Sequence, residues 1–205
     1  MFGRLRTEWR LKTGLTFGLL SYWAVIYYGV HVVSPFAVRE FDLSAVDRWV
    51  NFQPAWVWGY VTIYPFVAVV PWLAVERGDL WRYTFSMVFV IFVAGTAFFF
   101  FPVAAPRPGG VDDGGLYAWL VSVDPVTNAF PSLHCAMASS TALFAWRALA
   151  PPYRRRADSI WIVASWVLVI VIFYSTLATR QHYFADVASG ILLGCGGHLL
   201  ARRFV

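Results

Sequence analysis

Charge is what this sequence has least of. Only 13% of its 205 residues are Asp, Glu, Lys or Arg, about half the share that an ordinary soluble domain carries on its surface. A chain with so little charge is not built to face water on all sides. Cysteine is also scarce. Cys135 and Cys195 lie far apart in apolar stretches and no CxxC pair occurs, so their spacing suggests neither a disulfide nor a metal or redox centre. They read as small buried side chains. The net charge is +5, yet the basic residues come in short groups between apolar stretches. No stripe of them tracks along one element, which argues against a nucleic-acid partner. Internal repeats and low-complexity tracts are absent too, and one domain over residues 1–205 is expected.

What the chain has in quantity is apolar sequence, 60% of its residues. A membrane-spanning helix needs about 20 mainly apolar residues. Such stretches recur along the whole length, which excludes a secreted precursor with a single signal segment. They lack the alternation of barrel strands. An all-α polytopic membrane protein follows, because backbone groups in hydrocarbon must be paired within their own segment. Six transmembrane helices are predicted, near 15–33, 56–75, 83–101, 130–147, 160–178 and 183–201. Pro65 and Pro71 fall inside the second and either kink it or mark its end. Residues 102–128, rich in Pro and Gly and carrying Asp112, Asp113 and Asp124, form the longest connection.

The positions of charge set an orientation. With both termini cytoplasmic, Arg4, Arg6, Arg10, Lys12, Arg77, Arg82, Arg147, Arg154, Arg155, Arg156, Arg202 and Arg203 lie inside, 12 of the 16 basic residues. The outer segments keep only Arg39, Arg48, Arg107 and Arg180, against seven acidic residues. That is the bias expected of cytoplasmic retention of Lys and Arg, and it predicts an integral protein of the cell membrane. Arg154, Arg155 and Arg156 read as a topology anchor or, alternatively, as a lipid-headgroup patch.

This topology gathers three polar elements on the outer side. The first is Pro131-Ser132-Leu133-His134, opening the fourth helix. Pro suits a first helical turn, and the free N–H groups there attract an anion to which Ser132 adds a hydroxyl. The second holds Arg180, His182, Tyr183 and Asp186. On a helix, His182 and Asp186 share a face, and a carboxylate that fixes one ring nitrogen leaves the other free to attack phosphorus. The third is Ala105-Pro106-Arg107-Pro108, whose guanidinium matches two phosphate oxygens. Arg107, Ser132 and Arg180 are thus candidate phosphate ligands, and His182, His134 and Asp186 candidate nucleophile, acid and orienter. Two histidines and an aspartate also suit zinc, although the helix mouth and the arginines favour an anion. Tyr183, Asp42, Asp47 and Asn51 are candidates for lining a polar acceptor; a solvated connecting face explains Asp42, Asp47 and Asn51 equally well.

The order of these motifs resembles the type 2 phosphatidic acid phosphatase superfamily, with its Lys-x6-Arg-Pro, Pro-Ser-Gly-His and Ser-Arg-x5-His-x3-Asp signature. Here stand Arg107-Pro108, Pro131-Ser132-Leu133-His134 and His182-x3-Asp186, within a similar region of about 83–201. The family lysine falls at Phe100, its Ser-Arg pair at Ser175-Thr176 and its glycine at Leu133. The Pro-Ser-Leu-His form and the His-Tyr-x-x-Asp ending are more similar to the branch containing inositol phosphorylceramide synthases. The resemblance implies phosphoryl chemistry without metal or other cofactor, through a phosphohistidine. The implied substrate is a phospholipid or a polyprenyl phosphate. Hydrolysis is the first expectation, transfer to a polyol or lipid acceptor the second, and a non-catalytic transporter or structural bundle the third.

Overall fold

The computed structural model describes residues 2–111, 115–149 and 156–204. Asp112, Asp113, Arg154 and Arg155 lie outside the described residues. The described chain is helical: α1 (Phe2–Arg6), α2 (Trp9–Val33), α3 (Ala45–Trp49), α4 (Val57–Val61), α5 (Ile63–Val69), α6 (Arg77–Phe100), α7 (Leu116–Val123), α8 (Leu133–Ala148), α9 (Arg156–Ala178) and α10 (Phe184–Phe204). Strand pairing among the described residues is limited to isolated bridges of Val103 with Arg39 and Asn128. Through them the extended segment after α6 is threaded between two loops, with Val103 N–H donating to Thr127 O at 3.1 Å and Ala129 N–H to Val103 O at 3.2 Å.

Among the described residues, five segments are long and apolar enough to cross a membrane: Trp9–Val33, Pro54–Leu73, Arg77–Phe100, Ser159–Ala178 and Phe184–Arg203. The protein is an integral membrane protein of the all-α class. The helix expected at 130–147 is α8, 16 residues long and roughly 24 Å by helical rise. It falls short of the others in length, and its first ten residues are all buried. Its composition explains its place. Ala136, Ala138, Ser139, Ser140 and Ala142 keep the helix thin, so α6, α9 and α10 close around it, as small residues allow in membrane bundles.

The second span is not one continuous helix. Pro65 has no N–H to give the Val61 carbonyl, and α4 ends at Val61. Thr62 closes the break by donating its hydroxyl to Gly59 O at 2.6 Å. Pro71 deprives the Val67 carbonyl in the same way. Tyr83 on α6 supplies the missing donor through its hydroxyl at 2.9 Å, and the chain tightens into a 3-10 turn over Val70–Leu73. The first proline breaks the span and the second ends it. The long connection, expected to be loop throughout, carries α7, whose Tyr117 and Leu120 pack on Val57 and Tyr60.

Candidate active site

The two histidines are brought together by a glycine-faced joint between α8 and α10. A Cβ on Gly190 would lie 2.3 Å from Ser132 O, and one on Gly194 2.2 Å from Ala136 O. Only hydrogen fits at either position, so the helices meet backbone to backbone at the end where both begin. The backbone N–H of Ser132 then donates to Asp186 O at 2.9 Å. The joint leaves the His134 and His182 rings 6.0 Å apart, centroid to centroid, and the side chains are only 6% and 4% exposed.

Details differ from the sequence expectation. Pro131, joined to Phe130 by a cis peptide bond, lies one residue before the cap instead of within the first turn. Ser132 is the N-cap, and its hydroxyl accepts from Cys135 N–H at 3.3 Å, the usual task of a capping serine. That oxygen caps the helix by accepting, a task that leaves the hydroxyl's own donor available. His134 follows in the first turn. Its Nδ1 is 3.2 Å from the Tyr60 hydroxyl, the Tyr60 ring stacks on it at 4.1 Å, and its Nε2 is buried without a partner.

His182 stands before α10, in the turn out of α9, so it shares no helix face with Asp186. Its Nδ1 is 2.9 Å from Ala129 O and 3.5 Å from Asp186 Oδ2. The shorter contact goes to the backbone carbonyl, which accepts the proton and leaves Nε2 as the ring nitrogen with a lone pair. Asp186 Oδ2 accepts from Tyr183 N–H at 2.8 Å, one half of a capping box. Its Oδ1 is buried and unpartnered.

The arginines are both engaged. Arg107 donates from Nε to Gln181 Oε1 at 2.9 Å, from Nη1 to Asp124 O at 3.0 Å and from Nη2 to Asp124 Oδ2 at 2.7 Å. Tyr27 donates to the other Asp124 oxygen at 2.7 Å. Burial pushes the Asp124 carboxyl up from its usual range, and the Arg107 charge and the Tyr27 hydroxyl act against that shift. Arg180, at φ 54°, donates to the carbonyls of Asp47 and Val50 at 2.7 and 2.9 Å. Asp47 in turn accepts from Phe184 N–H at 2.7 Å. Arg180 is a strut that ties α3 to the turn that carries His182.

Of the acceptor-lining candidates, Tyr183 is buried against Val103, Ala129 and Phe41, whereas Asp42 and Asn51 are exposed on the connection around α3. Gln181, Tyr60, Asp124 and the Ala129 carbonyl were not singled out by sequence. Gln181 is adjacent to His182, and Asp124 is an acid flanked by apolar residues; those were the available signals. No group of three or more His, Cys, Asp or Glu able to hold a metal ion occurs among the described residues.

The sequence profile described as the PAP2 superfamily, the type 2 phosphatidic acid phosphatases, matches residues 40–200. The chain belongs to the PAP2 superfamily. Comparisons with curated proteins and with solved structures give no match. Membership brings the general chemistry of PAP2 enzymes, lipid-phosphatase-like hydrolysis or phosphotransfer of a typically metal-independent kind. Where PAP2 proteins carry two further basic residues, this chain has Phe100, 57% exposed, and the fully buried Thr176, which follows the equally buried Ser175 at the family's serine position. Both hydroxyls donate to carbonyls of their own helix, Ile172 O and Phe173 O, at 2.8 Å.

Proposed function

We propose that the protein removes the phosphoryl group from a membrane lipid phosphate through a covalent phosphohistidine. The observation that carries this reading is the set of unpartnered polar atoms, His134 Nε2, Gln181 Nε2 and Asp186 Oδ1, around two histidines 6.0 Å apart. Buried polar atoms are nearly always paired, and an unpaired group in a membrane bundle signals function. His182 Nε2 attacks phosphorus; the N–P bond forms as the P–O bond to the lipid breaks. The leaving oxygen takes a proton from His134. In the second step His134 accepts a proton from water, the new O–P bond displaces His182, and inorganic phosphate leaves. Ala129 O and Asp186 orient and stabilise the His182 ring, and the N–H groups at the mouth of α8 and Arg107 face the equatorial oxygens.

An apolar cavity of about 90 Å³ between α2, α5 and α6 supports a lipid substrate. Tyr64 is in its wall, and the same ring meets the His134 ring edge-on at 6.1 Å. A hydrocarbon tail can lie there while the phosphate meets the histidines. In this reading α8 is a sixth, protein-enclosed span, the termini are cytoplasmic and the histidines sit toward the outer face.

Transfer of the phosphoryl-linked group to a polyol or lipid hydroxyl is the second reading, in keeping with the inositol phosphorylceramide synthase-like motif form. It is favoured by the enclosure of both histidines, since a site closed to water protects a covalent intermediate until a chosen acceptor arrives. Product analysis separates the two. Purified protein in lipid micelles is given labelled lipid phosphates and phosphodiesters, with and without polyol and lipid acceptors, beside a His182→Ala control. Free phosphate that disappears in the control supports hydrolysis; an acceptor-dependent labelled lipid supports transfer. Absence of His182-dependent turnover across the panel overturns both in favour of a non-catalytic bundle.

A further inference from the structure

Gln181 lies between the arginine and the nucleophile. Its side chain is 2% exposed. Arg107 Nε donates to Oε1 at 2.9 Å, and a guanidinium has nothing but donors, so that bond fixes which end of the carboxamide is oxygen. The end left over is Nε2, which is buried with no partner. A donor held in that state next to a nucleophilic histidine is set to meet an acceptor that arrives with the substrate.

The charge around it is unusual for a site that takes phosphate. One guanidinium, Arg107, is paired with the Asp124 carboxylate, and the Asp186 carboxylate lies against His182. Arg180 donates from both terminal nitrogens to backbone carbonyls, and Phe100 and Thr176, where PAP2 proteins carry basic residues, add no positive charge. A phosphomonoester brings about −1.5 to −2 near neutral pH, whereas a phosphodiester brings a single negative charge. Arg107, already paired with Asp124 at 2.7 Å, is poorly supplied to balance the former.

We propose that Gln181 is a phosphoryl-oxygen ligand, donating from Nε2, and that this neutral ligand beside one guanidinium fits the site to a singly charged phosphodiester lipid over a doubly charged phosphomonoester. The proposal rests on the reading of His182 as nucleophile. With a phosphodiester, His182 Nε2 takes the phosphoryl group with its second ester still attached, the diacylglycerol oxygen leaves with the His134 proton, and water then releases the monoalkyl phosphate. Gln181 adds a hydrogen bond to these steps and exchanges no proton.

The test compares dioleoyl phosphatidic acid with dioleoyl phosphatidylmethanol, lipids that differ by one methyl ester and hence by one ionisable oxygen. Lipid consumed in mixed micelles is measured for the wild type, Gln181→Ala, Gln181→Glu, Gln181→Lys and Asp124→Asn, with His182→Ala as the blank and thermal unfolding as the check on folding. The expected wild-type preference, by kcat/KM, is for phosphatidylmethanol. Gln181→Ala lowers kcat/KM about 10- to 100-fold, the size expected for a lost hydrogen bond to a charged group. Gln181→Glu lowers it further on both lipids. Gln181→Lys and Asp124→Asn each add one unit of positive charge by a different route and shift the preference toward phosphatidic acid by about tenfold or more. The idea is overturned if the wild type prefers phosphatidic acid, or if folded Gln181→Ala and Gln181→Glu proteins keep wild-type kcat/KM. It is also overturned if neither Gln181→Lys nor Asp124→Asn moves the preference. In each of these cases His182-dependent turnover persists and the broader function stands. Equal lipid consumption by the wild type and His182→Ala removes the broader function and this proposal together.

Discussion

Two buried polar clusters, one around Lys12 and one around the histidines, treat their donors and acceptors differently. Near the start of α2 the chain's one lysine, Lys12, is 2% exposed. Its three N–H donors go to Arg4 O at 2.7 Å and to Trp72 O and Ala74 O at 2.8 Å. Fifteen residues along α2, roughly 22 Å by helical rise, Tyr27 marks the other end through its bond to Asp124. There His134 Nε2, Gln181 Nε2 and Asp186 Oδ1 have no partner. The lysine is a lock: every donor is met, and it joins α1 and the end of the second span to α2. The histidine end keeps unmet donors and acceptors in a water-poor setting, where leaving them unmet is costly. A fold tolerates that cost where a ligand meets it.

Substitutions that break this contrast are graded by size. The largest effect is expected from His182→Ala, a loss of about a thousandfold or more in turnover, as for removal of a covalent nucleophile, with the unfolding temperature unchanged or raised. Asp186→Asn comes next. It keeps the shape and the bond from Tyr183 N–H but removes the charge that stabilises the His182 ring, and kcat should fall about 10- to 100-fold with KM little changed. Lys12→Met reverses the pattern. It leaves three carbonyls, that of Ala74 buried and those of Arg4 and Trp72 part-buried, without this donor, costs about 1–3 kcal/mol and lowers the unfolding temperature by several degrees, while the folded fraction keeps its activity. The smallest effects belong to Asp42→Ala and Asn51→Ala, exposed positions where changes stay within about 0.5 kcal/mol; a lipid-acceptor assay that dropped severalfold in either would show that they line an acceptor path.

The helices were legible because their apolar runs are long and their interruptions are charged. The site was legible in part. His134 and His182 announce themselves by residue type, and the small residues of α8 with Gly190 and Gly194 on α10 bring them together. What could not be read was how each polar group is satisfied. Arg180 and Arg107 look alike as free cations in sequence, yet Arg180 is spent on carbonyls of residues 130 and 133 positions away. His182 is oriented by the Ala129 carbonyl, 53 positions away, and any residue at that position supplies one. Ser132 reads as a ligand in sequence and is also a cap, because a serine before a helix meets its own backbone first. The break at Thr62 depends on the carbonyl that Pro65 leaves unpaired, whereas Pro71 is relieved by Tyr83. Backbone partners carry no residue signature, and that is where sequence reading stopped.

The covalent intermediate is the claim on which the rest depends. It is tested by quenching the reaction in alkali, where a phosphorus–nitrogen bond on histidine survives, with a lipid substrate labelled at phosphorus, and mapping the labelled peptide. The expected result is label on His182, absent from His182→Ala. Turnover by the wild type with no label on His182 at any quench time, or label that persists in His182→Ala, contradicts the account.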